Sequence, residues 1–208
     1  EGTVHSELLR RPGKLYVLAS HFHPDHFNKE VLQWREQRPD IIYIFSKDIL
    51  RHRRAQKEDA VWLKKGEEYK DETLSVRAFG STDVGVSFLL QASGKKIFHA
   101  GDLNNWHWMD ESTEAEGKGA EKNFLHELDD LYAYTPEVDV AMFPVDPRLG
   151  KEYMRGAGQF VTKIKTHIFV PMHFTPEYAK ANAFRDFAEA HGVRFVSLTH
   201  RGQKIEIE

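Results

Sequence analysis

Six consecutive residues, His21-Phe22-His23-Pro24-Asp25-His26, follow directly on the apolar stretch Leu15 to Ala19. No other feature restricts the chain as strongly. Imidazole suits zinc, iron and related metals, and the carboxylate adds hard oxygen ligation and negative charge. One short loop can therefore aim ligands at two adjacent cations. A histidine-rich surface turn is the bland alternative. Two further residues weigh against it: Asp102 and His173 each stand at the end of another apolar stretch. Loops at strand ends are where a rigid scaffold presents functional groups, and ligands from three such ends can converge on one edge of a sheet pair.

The chain has 208 residues, of which 40% are hydrophobic, enough for one domain with a real core. Its formal net charge is −3, so no global basic field favours nucleic acid or an acidic membrane. The basic run Arg51-His52-Arg53-Arg54 reads as a solvated helix face. There are no cysteines, which removes disulfides, thiolate metal sites and cysteine nucleophiles and fits a cytoplasmic location. No apolar run approaches the roughly 18 residues of a membrane span. The first residue is Glu1, which fits a fragment or a processed form lacking N-terminal strands of the fold. One domain over 1–208 is expected.

Periodicity places strands at Leu15–Ala19, Ile41–Phe45, Leu74–Phe79, Val84–Gln91, Lys96–Ala100, Val138–Phe143, His167–Val170, Val193–Leu198 and Lys204–Ile207. The turn Ser93-Gly94 makes a hairpin of the fourth and fifth. Helices are expected at Asn28–Gln37, after a Ser46 N-cap, and over Glu121–Tyr134, Gly158–Lys165 and Glu177–Ala190. The segment Asn104–Gly119 reads as loop. The expected architecture is layered α/β, with sheets inside and helices outside.

Taken together, the His-x-His-x-Asp-His loop after a strand, Gly101-Asp102 in a later loop and the late His173 resemble the metallo-β-lactamase superfamily. The resemblance runs from about Leu15 to the C-terminus. It implies a four-layer αββα sandwich and a metal-dependent hydrolase. Such an enzyme uses a metal-bound water or hydroxide to cleave an ester, lactone, amide or phosphoester bond. The runs Ile97-Phe98-His99-Ala100-Gly101-Asp102-Leu103 and Val170-Pro171-Met172-His173-Phe174 are most similar to the cytoplasmic branch that includes L-ascorbate-6-phosphate lactonase-like and ribonuclease-like proteins. The family pattern implies that His21 and His23 serve a first metal, that Asp25, His26 and His173 serve a second, and that Asp102 bridges them. It also gives Asp25 and Asp102 catalytic roles. Zn²⁺ is the implied cofactor, as one ion or two, with Mn²⁺ and Fe²⁺ as alternatives.

One departure stands out. The family carries another histidine before the hairpin, and here the region reads Phe79-Gly80-Ser81-Thr82-Asp83-Val84-Gly85. Asp83 either replaces the missing ligand or only caps a turn. Trp106, His107 and Trp108, a few residues past Asp102, are candidate substrate contacts, the alternative being an aromatic loop packed on itself. His99 reads as a packed or second-shell histidine. Asp146 reads as a Pro-flanked turn or as the partner that orients a ligand histidine, with the turn the simpler account. Arg148 is a candidate for holding an anion. The expected partner is a small-molecule substrate, neither nucleic acid nor membrane. A ribonuclease-like phosphodiesterase and a non-catalytic metal-binding domain with a degenerate first site are the competing functions.

Overall fold

A computed structural model describes residues 6–174 and 176–206. Three parallel strands, β1 (Tyr16–Ala19), β2 (Ile42–Ser46) and β3 (Val61–Leu63), make a small sheet in the order β1-β2-β3. Seven more form a mixed sheet: β4 (Glu68–Lys70), β5 (Ser75–Phe79), β6 (Ser87–Ala92), β7 (Lys95–His99), β8 (Glu137–Pro144), β9 (Lys165–Met172) and β10 (Arg194–Phe195). Its order is β10-β9-β8-β7-β6-β5-β4, antiparallel from β4 to β7 and parallel from β7 to β10. The α-helices are α1 (Ser6–Leu9), α2 (Lys47–Arg51), α3 (Glu114–Tyr134), α4 (Arg155–Lys163), α5 (Tyr178–Asn182) and α6 (Arg185–Ala190). None is long and apolar enough to cross a membrane, among the described residues.

The layering follows from the period of two along a strand. In β1 and β2, Tyr16, Leu18, Ile42 and Ile44 face the large sheet, where they meet Val76, Ala78 and Phe88. Val17, Ala19, Tyr43 and Phe45 face the other way, onto Phe27, Val31, Trp34 and Ile49. The outer face of the large sheet carries Leu89, Phe98, Phe143 and Phe169, covered by Phe124, Leu128 and Leu131 of α3 and by Phe160 of α4. Phe160 is wedged between Phe98 at 5.4 Å and Phe143 at 4.6 Å between ring centres. Burying each such ring stabilises the fold by about 2–3 kcal/mol. Helix, sheet, sheet, helix is thus the order of layers, as the sequence suggested.

Several local expectations are corrected. The segment Lys29–Glu36 is a 3₁₀-helix with no fully buried residue, started by Asn28, whose side chain accepts from the Glu30 amide at 3.0 Å. Helix α3 begins at Glu114, inside the stretch read as loop. Thr113 and Glu116 form a reciprocal capping box there. Gly117 is buried, and a Cβ there would lie 3.6 Å from the His107 carbonyl. The single helix expected over Glu177–Ala190 is two. Phe184 turns into the core against Phe169, and the Asn182 amide reaches across to both backbone groups of Leu198. Of Val193–Leu198 only Arg194 and Phe195 pair as a strand, at the sheet edge. Residues 204–206 form no strand among the described residues, and Ile207 lies outside them. The strands Val61–Leu63 and Glu68–Lys70 were not anticipated, being only three residues each.

The two sheets are joined by a backbone hydrogen bond just past the end of β1. Val86, just before β6, donates its amide to the Ser20 carbonyl at 3.0 Å. Gly85 has φ +77°, and a Cβ there would overlap that same carbonyl and lie 2.5 Å from His21 Cβ. Gly101, at φ +56°, would place a Cβ 2.8 Å from the Val86 carbonyl and 2.9 Å from Ser20 Cβ. Gly85→Ala therefore adds both left-handed strain and overlap and costs roughly 2–4 kcal/mol. Gly94, at φ +76° with nothing near, is the control. Its alanine variant costs about 1 kcal/mol. Urea unfolding of the two variants measures the difference. Equal costs would mean that the close approach at Gly85 is relieved without penalty.

Candidate metal centre

Parallel strands end on the same side of a sheet, and open α/β sheets present their sites at those carboxyl ends. Strand β7 ends at His99 and leads to Asp102; β8 ends at Pro144 and leads to Asp146; β9 ends at Met172 and leads to His173. Pro144 pairs with Met172, which sets Asp146 beside His173. From the small sheet, β1 ends at Ala19 and delivers His21 to His26 to the same edge. Asp48 at the start of α2 anchors this loop, accepting the Phe22 amide at 2.9 Å.

The six predicted ligands gather in two groups. His21, His23 and Asp102 offer ligand atoms within 4.8 Å of one another, and so do Asp25, His26 and His173. Asp102 stands between the groups. Its Oδ2 lies 3.3 Å from His21 Nε2, and its Oδ1 lies 3.1 Å from His26 Nε2 and 3.3 Å from His173 Nε2. One carboxylate oxygen faces each group. Ser20 Oγ lies 3.0 Å from His21 Nδ1 and 3.5 Å from His26 Nδ1, so a single hydroxyl turns the Nε2 atoms of both rings inward.

Hydrogen bonding leaves the centre unsatisfied. His21 Nε2 and Asp102 Oδ1 are buried with no hydrogen-bond partner. An orphaned buried polar atom costs about 1–3 kcal/mol. Two of them, one in each ligand group, are what bound cations would relieve. Burial by itself would raise the Asp102 carboxyl. The facing His173, His21 and His26 rings outweigh it and hold the group far below the usual carboxylate range. This donor set of four imidazoles and two carboxylates fits one or two divalent cations such as Zn²⁺.

Asp146 settles its two sequence readings by serving in both. Its Oδ1 accepts the Arg148 amide at 3.0 Å and starts the 3₁₀-helix Pro147–Glu152. Its Oδ2 lies 2.9 Å from His173 Nδ1. The buried carboxylate thus accepts a hydrogen bond from Nδ1–H and turns Nε2 towards Asp102. Burial would lower His173, but Asp102 and Asp146 raise it to about 9. His173 sits at φ +64°, a left-handed conformation that a non-glycine residue adopts only at a cost.

The first group is short of a ligand. Asp83 is exposed, with Oδ2 3.9 Å from His23 Nδ1. Its carboxylate caps no turn among the described residues, yet it stands outside the close cluster. At Gly80, in the region where the family carries its further histidine, a Cβ would meet the Glu127 carboxylate, so a side chain there would have to displace Glu127.

Two cavities open on the centre. One of about 370 Å³ is walled by Trp106, Trp108, Thr82 and Asp83; the other, of about 580 Å³, by His99, Met172 and Phe174. Asp25, Arg148 and His173 line both. Trp106 and Trp108 stack at 6.1 Å, and the Trp106 indole donates to the Asp102 carbonyl at 2.8 Å. Trp108 is held at φ +42°. His107 points elsewhere. It is buried, with Nδ1 accepting the Met109 amide at 3.1 Å and Nε2 3.2 Å from the Glu152 carbonyl. Its place between two tryptophans suggested a pocket residue, but the loop alternates and the middle side chain packs inward. Sequence reasoning missed Ser20 and Asp48. For Ser20 the only signal was its position directly before His21.

No family model and no curated protein sequence matches the chain. Solved structures do match in shape. Igni18, a metallo hydrolase from the archaeon Ignicoccus hospitalis, superposes with a TM-score of 0.57 at 17% identity, over 88% of this chain and 76% of that one. The metallo-β-lactamase fold protein YhfI from Bacillus subtilis gives 0.55 at 12% identity, over 88% and 75%. Zn²⁺-bound PqqB from Methylobacterium extorquens gives 0.54 at 16% identity, over 92% and 73%.

If Asp146 sets the His173 ring, Asp146→Ala lowers affinity for Zn²⁺ at the His26–His173 group about 10- to 100-fold. Calorimetric titration of stripped protein measures it, with circular dichroism to check folding. An unchanged affinity in a folded variant would show that His173 needs no support.

Proposed function

From a chain with the metallo-β-lactamase fold and six ligands gathered at one sheet edge, we propose a metal-dependent hydrolase. The observation that carries this reading is the pair of ligand groups sharing Asp102, with His21 Nε2 and Asp102 Oδ1 buried and unpartnered between them. His21 and His23 would hold one cation, Asp25, His26 and His173 would hold the other, and Asp102 would serve both. The preferred metal is Zn²⁺, given the number of imidazoles, with Mn²⁺ or Fe²⁺ as substitutes. When bound, such a pair lowers the pKa of water towards neutrality and withdraws charge from the attacked group.

The protein's own contribution is position. Ser20 and Asp146 fix the rings. Asp25, exposed at the mouth with Oδ2 3.5 Å from His26 Nε2, holds the attacking water and takes its proton. Trp106 and Trp108 supply apolar area against the substrate. The scissile bond belongs to an ester, lactone, amide or phosphoester. The likeness of the Asp102 and His173 segments to the lactonase-like branch favours the first two.

A metal-binding domain without turnover is the competing account, favoured only by the incomplete first group. The cation at His21 and His23 should bind more weakly, having two imidazoles and half a share of Asp102 unless Asp83 reaches in. Titration of stripped protein with Zn²⁺ should give two unequal steps, and Asp83→Ala should weaken only the shallower. Two equally tight steps untouched by that variant would mean a ligand outside this set. Turnover on a panel of esters, lactones and phosphodiesters tests the hydrolase directly. Trp106→Ala with Trp108→Ala should change KM or kcat at full metal content. A fully metallated, folded protein inert on the whole panel would leave the binding-domain account standing.

A further inference from the structure

The Arg148 guanidinium is fixed and half unused. Its Nε lies 3.0 Å from both Asp146 oxygens, and its Nη2 lies 2.6 Å from Asp146 Oδ2. Asp146 is itself buried and bonded to His173, so it cannot swing away. One edge of the guanidinium is thereby pinned to a rigid carboxylate. The other edge, Nη1, makes no hydrogen bond among the described residues, and the residue is exposed on the ridge between the two cavities. Its Nη2 is 3.3 Å from His173 Nδ1, directly beside the metal centre. An arginine in solution loses much rotamer freedom when it grips an anion; this one has already lost it.

The larger cavity adds a second donor. His99 lines it, and His99 Nδ1 accepts the Gly101 amide at 3.1 Å. A ring nitrogen that accepts carries no proton, so the neutral ring holds its proton on Nε2. Burial keeps His99 neutral, lowering it to about 4. The opposing groups matter as well. Asp25 and Glu177 line the same cavity and repel an anion unless the cations bound at Asp25 and Asp102 offset them.

We propose that Arg148 is the specificity-determining residue of this centre and selects substrates that carry a second anionic group, a carboxylate or a phosphate, beside the bond presented to the metals. His99 Nε2–H is the neutral donor lining the side of the cavity where that group lies. The proposal rests on the metal-centre reading but not on turnover. A neutral ester would be held by the centre alone, and an anionic one by the centre and the free guanidinium edge together.

Binding to the Zn²⁺-loaded protein tests this without catalysis. The probes are paired: malonate, succinate and glutarate against acetate, propanoate and butanoate, and 3-phosphonopropanoate against propanoate. The first carboxylate engages the centre, and the second anion reads Arg148. The wild type should favour at least one dianion. Arg148→Gln should cut that preference about 10- to 100-fold, the size of one or two charge-assisted hydrogen bonds. Arg148→Lys keeps the charge without the fork and should fall between. It also decides the matter should the Gln variant lose metal. Preference for the phosphonate over the dicarboxylates would assign a phosphorylated substrate, and the reverse a carboxylated one. No dianion preference in the wild type, or a preference that both variants retain, would overturn the assignment. Absence of turnover with the preference intact would count against the hydrolase and not against Arg148.

Discussion

Everything at the candidate centre depends on how closely three stretches of backbone approach one another. The carbonyl of Ser20 takes the amide of Val86, and Gly85 and Gly101 lie against Ser20 and His21 with no room for a side chain. This contact joins the end of the small sheet to the large one. It also sets the distance between the histidine loop and the Asp102 loop. Side-chain ligands have short reach, so a backbone shift of an ångström would separate groups that now lie 3.1–3.3 Å apart. The glycines set this spacing: Gly101 directly precedes Asp102, and Gly85 lies against His21.

The polar centre is paired asymmetrically. Outward-facing nitrogens are satisfied: His21 Nδ1 by Ser20, His173 Nδ1 by Asp146. Inward-facing atoms are left facing one another. Four imidazoles and the Asp102 carboxylate form a cluster whose internal contacts are close but poorly aligned as hydrogen bonds. Half-satisfied buried networks are costly. The hydrophobic layer between the large sheet and its helices, dense with Phe98, Phe143, Phe160 and Phe169, supplies stability that tolerates it.

The centre was legible where residue type and local order coincide. The run from His21 to His26 announces itself, and Asp102 and His173 stand out because each ends an apolar stretch. Sheets inside and helices outside could be expected from short apolar strands alternating with helices, and the four-layer αββα form from the family resemblance. What escaped was non-local. Ser20 and Asp48 are ordinary residues until the loop folds over them. The inward turn of His107 depends on the Glu152 carbonyl, 45 positions away. Asp146 looked like a turn residue because it is one, and only the register of β8 with β9 reveals the histidine beside it. The split between α5 and α6 arises from Phe184 packing and the Asn182 bridge, neither of which leaves a periodic signature.

The left-handed conformation of His173 has an implication for how the chain came to have this residue. At φ +64° a glycine would sit without strain, and a histidine costs about 1–2 kcal/mol. Selection for folding alone would replace it. On the metal-centre reading proposed above, that cost is what presenting the ring to a cation requires, and a buried carboxylate braces it there. The molecule is less stable than its architecture allows at a position where a side chain points towards Asp102 and not along the strand.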